Sequence, residues 1–111
     1  MDNLNYDPFH AIADPSRRDI LMMLTSEKLS INTIADSFDI SRPAISRHIK
    51  ILGEAGFITI TEQGRERYCQ LNQAGFEDVK EWILFFDQFW NSKLKNLEKL
   101  LHKRNGKKPK K

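Results

Sequence analysis

Two consecutive amphipathic segments, LSINTIADSFDI and SRPAISRHIKILG, limit the folds open to this chain more than any other feature. The second carries the stronger constraint. Ser41 suits a helix N-cap because its hydroxyl can take an orphan backbone N–H, and Pro43 is tolerated in a first turn, where no donor is needed. The helix therefore starts at Ser41 or Arg42 and runs to Gly53. Ile45, Ile49 and Leu52 recur at helical spacing and point inward, whereas Arg42, Ala44, Ser46, Arg47 and Lys50 point outward. No Asp or Glu lies between Asp39 and Glu54, so this outer face carries hydrogen-bond donors and no acid.

The first segment reads as a shorter helix capped by Ser30, with Ile34, Ala35 and Phe38 on its apolar side and Asp39-Ile40 as the connector. Two short helices joined by a tight connector, the second cationic on its free side, form a helix-turn-helix whose second helix enters a DNA major groove. As a bare pattern it is shared with other helical hairpins on protein surfaces.

The 111 residues suffice for one domain with a modest core. With no long uncharged apolar run, no signal-peptide pattern and Cys69 as the single cysteine, the expected setting is the cytoplasm, without membrane or disulfide framework. The net charge of +3 divides unevenly, because six of the 18 basic residues lie in the acid-free stretch Lys103 to Lys111, leaving 12 against 15 acidic residues elsewhere. A nucleic-acid footprint on the folded body must then come from local clustering, which Arg42, Arg47 and Lys50 supply.

Upstream, Asp7-Pro8 and Asp14-Pro15 each pair an Asp N-cap with Pro at the first helical position, predicting a short helix over FHAIA and a longer one over PSRRDILMMLTS. Ile20, Leu21, Met23 and Leu24 form the buried stripe of the longer helix. Arg17 and Arg18 in its first turn oppose the helix dipole, and read either as phosphate contacts or as salt bridges to Asp14 or Asp19. Downstream, Gly56 suits a left-handed helix stop, Phe57 to Thr61 reads as a strand, Gln63-Gly64 as a turn and Glu66 to Leu71 as a returning strand. This hairpin behind the recognition helix is a wing. Its Arg65 and Arg67 either lie along the DNA backbone or minor groove or form a solvated tip, since Glu62 and Glu66 partly offset them.

The stretches ADPSRRDILMML, IADSFDISRPAISRHIKILGEAGFI and QGRERYCQLN, in that order, resemble the ArsR family of bacterial winged helix-turn-helix repressors. EWILFFDQFWNSKLKNLEKLL is similar to the C-terminal helix of its subgroup without an evident metal site, the Sdp-type autorepressors and regulators encoded beside START-fold proteins. The resemblance covers roughly Phe9 to Leu101 and implies a mostly α fold with a small β-hairpin, in the order α-α-α-α-β-β-α, dimeric through its terminal helices. It further implies a homodimer on an inverted-repeat operator in double-stranded DNA, usually repressing, with autoregulation the commonest arrangement. Metal-sensing members carry a Cys-x-Cys pair where this chain has Ser30 and Asn32, so the soft-metal site is absent. The last helix offers Asp87 and His102 but no convergent pair for the family's second metal site. No metal and no cofactor are expected. Relatives often begin the last helix with Pro where this chain has Gln73; Asn72 can still cap it.

From Gln73 to about Lys103 the last helix carries Phe76, Val79, Trp82, Ile83, Phe86, Phe89, Trp90, Leu94, Leu97, Leu100 and Leu101 at spacings of three and four. One small winged helix cannot cover this stripe. Trp82 and Phe86 are expected in the chain's own core, while Phe89, Trp90, Leu94, Leu97 and Leu101, with Phe9 and Ile12 of the first helix, are expected at a dimer interface. The domain then spans residues 1–102, and residues 103–111 form a disordered basic tail that either adds non-specific phosphate affinity or serves solubility.

The expected DNA-binding residues are Ser41, Arg42, Ala44, Ser46, Arg47, His48 and Lys50 on the helix, with Arg65 and Arg67 on the wing. His48 either contacts a phosphate or packs at the groove edge. Cys69 shares a strand face with Leu71 and reads as a small buried hydrophobe. Catalysis is not expected, because Ser46 and His48 diverge on one helix and no carboxylate or glycine-rich phosphate loop accompanies them. The alternative to a sequence-specific regulator is a winged-helix protein–protein module whose basic tail alone binds nucleic acid.

Overall fold

A computed structural model describes residues 6–105. Five helices and three strands follow in order: α1 (Pro8–Ala11), α2 (Pro15–Met23), β1 (Leu29–Ser30), α3 (Ile31–Asp36), α4 (Arg42–Glu54), β2 (Ile58–Gln63), β3 (Glu66–Leu71) and α5 (Gln73–Asn105). Each of the first four helices begins directly after the residue whose side chain caps it. Asp7, Asp14, Ser30 and Ser41 accept from the backbone N–H of Phe9, Arg17, Thr33 and Ala44 respectively, each satisfying a donor that the helix geometry orphans.

The sheet has the order β1-β3-β2 and is antiparallel throughout. Its β1 strand adds to the expected fold. Leu29 and Ser30 pair with Cys69 and Tyr68, and a strand of two residues has no periodicity by which a sequence could announce it. The wing strand β2 runs two residues past its expected end, and the turn is Gly64-Arg65, with Gly64 at φ 64° as a tight hairpin requires.

The core gathers Ile20, Leu21, Leu24, Ile31, Ile34, Ile45, Ile49, Leu52 and Phe57, all buried. The inward stripe of α4 is therefore as read, and the helix is fixed from beneath. Gly56, at φ 86°, ends it and turns Phe57 into the core. Cys69 is fully buried, and burial pushes its thiol up to about 11 against the opposing pull of Arg67. It is thus a protonated core side chain rather than a reactive thiol.

The chain divides into two compact units, one ending at Val79 and one beginning at Lys80. In the first, Asn72 caps the start of α5, its Oδ1 accepting from Ala74 N–H at 2.8 Å, and Val79 packs on the core. The second is the rest of the helix. Its large apolar residues from Trp82 to Leu101 are between 37% and 63% exposed. Trp82 and Phe86 belong to this exposed set, at 55% and 37%, which corrects their expected place in the chain's own core. Their rings meet in a T-shaped contact at 5.1 Å, and Phe86 makes a second one with Phe85 at 5.1 Å. α5 also continues through Asn105, because no helix breaker occurs before Gly106, so the first residues assigned to the tail are helical. The remainder of the tail lies outside the described residues.

Candidate nucleic-acid interface

The N-terminal half of α4 is free on one side. Ser41 Oγ accepts from Ala44 N–H at 3.2 Å, and Ser41, Arg42, Pro43, Ser46, Arg47 and Lys50 are exposed while Ala44 is half-buried. Arg42 occupies the first helical position, where the dipole disfavours a cation and so favours an anion partner beside it. Lys50 is partly engaged, its Nζ 3.9 Å from Glu54 one turn on. That exposed pair contributes little to stability and leaves the ammonium available.

His48 departs from this exposed row. Its imidazole is half-buried, with Nδ1 3.1 Å from a terminal guanidinium nitrogen of Arg17 and 4.0 Å from Asp14 Oδ2. Arg17 is itself buried, its Nε–H donating to Ala11 O at 2.6 Å and its second terminal nitrogen to His10 O at 3.4 Å. Arg18 donates to Ile12 O at 2.8 Å. The two arginines therefore bind the carbonyls at the end of α1, a favourable place for cations. No carboxylate is among these partners, so the salt-bridge reading does not describe Arg17, and its burial sets it back from the surface that a phosphate contact needs. Burial resists ionisation of Asp14, but the backbone N–H bonds from Arg17 and Ser16 and the positive charge beside it outweigh that, and its carboxyl is held below its ordinary value.

The wing presents Arg65 at its turn and Arg67 on β3, both exposed. Arg67 stands opposite Glu62 in the strand register, and Gln63 stands opposite Glu66, so Arg65 is the cation without a cross-strand acid. At the other edge of the sheet Lys28 lies 5.3 Å from the ring centre of Tyr68, a contact absent from the sequence reading. The link from Arg17 to His48, 31 residues apart, is likewise tertiary and left no local sequence signal.

Among the described residues no cluster of three or more His, Cys, Asp or Glu is placed to hold a metal ion, and no helix is long and apolar enough to cross a membrane. Ser30, one of the two positions matching metal-sensor cysteines, is buried and spent on Thr33, accepting from its N–H and donating to its Oγ1. What the surface offers is a donor-rich helix on a rigid support, followed by a hairpin with a basic tip.

These features define a winged helix-turn-helix DNA-binding protein. The family described as bacterial regulatory protein, arsR family, matches residues 14–59, which contain α2, α3 and α4. The transcriptional repressor SdpR of Bacillus subtilis is 40% identical over 78 residues, 70% of this chain and 87% of that protein. An HTH-type transcriptional regulator of Mycobacterium tuberculosis is 30% identical over 93 residues, 84% of each chain. A crystal structure of an ArsR family transcriptional regulator superposes with a TM-score of 0.72 at 32% identity, covering 78% of this chain and 89% of the other. The chain belongs to the ArsR family of transcriptional regulators, a family of DNA-binding proteins rather than of enzymes.

Proposed function

We propose that this protein is a homodimeric repressor that binds an inverted-repeat operator in double-stranded DNA, in the cytoplasm and without sensing a metal. The observation that carries the reading is the exposed, acid-free N-terminal half of α4, seated on Ile45, Ile49 and Leu52. Its likeness to a named repressor over most of that protein's length supports repression as the outcome. Ser41, Arg42, Ala44 and Ser46 form the reading head, with the Ala44 methyl suited to a thymine methyl, and Arg47, Lys50, Arg65 and Arg67 hold phosphates.

The two groups fail differently. Arg42→Ala costs about 1 to 3 kcal/mol on the operator and little on random duplex, whereas Arg65→Ala weakens both and flattens the salt slope by about one unit. Fluorescence anisotropy over a salt series separates them. Equal losses from Arg42→Ala on both duplexes, with a changed slope, make it a backbone contact and move the reading head elsewhere.

Metal independence has its own test. With Ser30 and Asn32 in place of thiolates, micromolar zinc, cadmium or arsenite leaves operator affinity unchanged. A reproducible tenfold release, about 1.4 kcal/mol, by any of them restores a sensor role.

A further inference from the structure

The cluster of half-buried Asp14 and His48 around buried Arg17 sits behind the reading face and is not used by the proposed contacts to DNA. Arginine has donors only, so the 3.1 Å contact makes His48 Nδ1 an acceptor, which requires a neutral imidazole carrying its proton on Nε2. The same guanidinium binds the carbonyls of Ala11 and His10. Arg17 thereby ties α4 to the end of α1 through three side-chain bonds.

We infer that His48 is a positioning residue, a proton-sensitive pin that holds the recognition helix in its DNA-binding seat only while its Nδ1 is unprotonated. The inference rests on the operator-binding reading above. A proton on Nδ1 removes the acceptor and sets two cations 3.1 Å apart. The new Nδ1–H then has a carboxylate acceptor in Asp14 Oδ2, now 4.0 Å away, on the residue that caps α2. Protonation thus exchanges the bond to Arg17, the residue of α2 that reaches on to the end of α1, for one to Asp14 at the cap of α2, and α4 shifts with its histidine. Histidine is the side chain whose charge changes between about pH 5 and 8.

Among the charged groups on the elements packed around α4, Arg17 and Asp14 of α2 reach the imidazole. The nearby titratable side chain of α1, His10, stacks on Tyr6, and Asp36 of α3 and Glu62 of β2 are exposed. On α4 itself Arg47 and Lys50 lie on the exposed side.

The sign of the pH effect separates this role from a direct phosphate contact. A histidine that touches phosphate binds DNA better when charged; a pin that must be neutral binds worse. The operator is first recovered by selection from a random duplex pool. Between about pH 8 and about pH 5.5 the wild type loses roughly tenfold in affinity, a coupling of ordinary size between two sites. His48→Asn, whose carbonyl keeps an acceptor near the Nδ1 position but cannot be charged, loses much less. Nitrogen chemical shifts of the His48 ring, recorded on the wild type without DNA, show Nδ1 bare and Nε2 protonated at the higher pH.

Tighter binding on acidification, a His48→Asn profile matching the wild type, or a protonated Nδ1 at the higher pH each overturns the inference. Absence of duplex binding by the wild type at either pH removes the operator reading and this inference with it. An intact operator affinity without the His48-dependent pH effect removes this inference alone.

Discussion

Replacing Leu94 and Leu97 by Asp yields a monomer. Both leucines are more than half exposed in the single chain, at 60% and 52%, within a run of apolar side chains that continues to Leu101. Exposed apolar surface of that extent is rare on monomers. In the proposed homodimer a second copy of the same helix covers it, by the same physics that buries the stripe of α4. Two carboxylates placed in that seam cost several kcal/mol unless they find partners, and each 1.4 kcal/mol weakens association about tenfold. The variant keeps its winged-helix fold, because the core that includes Ile20, Ile45 and Phe57 lies in the unit ending at Val79. Light scattering reads the mass and circular dichroism the retained helix. A double variant that still scatters as a dimer places the interface outside this part of α5. Loss of dimerisation also lowers operator affinity, since two half-sites are then no longer bound as one unit.

How much of this was legible in the sequence follows from the range of each interaction. Caps are local, so Asp7, Asp14, Ser30 and Ser41 announced four helix starts, and the structure places all four where their side chains reach the first turn. Periodicity is nearly as local, and Ile45, Ile49 and Leu52 are buried as their spacing required. Pairings between distant segments leave no such mark. β1 exists because Leu29 and Ser30 lie beside Cys69 and Tyr68, and Arg17 finds His48 only after α2 and α4 pack together. Arg17 looked like a misplaced cation for that reason. Its dipole conflict within α2 is resolved by the carbonyls of α1, which no spacing rule connects to it. Trp82 and Phe86 show the opposite failure. Periodicity placed them on an apolar stripe correctly, but a stripe does not say whether the chain itself or a second copy covers it.

The largest effect on folding is expected where α5 begins. Phe57 is fully buried, its ring meeting Phe76 edge-on at 4.7 Å, and its carbonyl accepts from Asn72 N–H at 2.8 Å. Gly75 donates its backbone N–H to Gly56 O at 2.7 Å, so the first turn of α5 lies directly against the corner that follows α4. Phe57→Ala costs about 3 to 5 kcal/mol, a large part of the 5 to 15 kcal/mol by which a domain is ordinarily stable. Gly75→Ala tests the same joint from the other side. A methyl there stands 2.8 Å from Ala55 O and 2.9 Å from the Phe57 ring, and the first of these is backbone that cannot rotate away. The helix-propensity gain of about 1 kcal/mol is therefore outweighed by overpacking of about 1 to 3 kcal/mol, and the net change is destabilising. Gly53→Ala supplies the contrast, since its methyl meets Ile60 Cδ1 at an ordinary 3.6 Å and the propensity gain of up to about 1 kcal/mol is kept. Urea denaturation of the three variants should place Gly53→Ala above the wild type, Gly75→Ala below it and Phe57→Ala lowest. If Gly75→Ala proves as stable as Gly53→Ala, the corner at Ala55 and Phe57 yields to a methyl group, and the close approach of α5 to it is not what holds the helix in place.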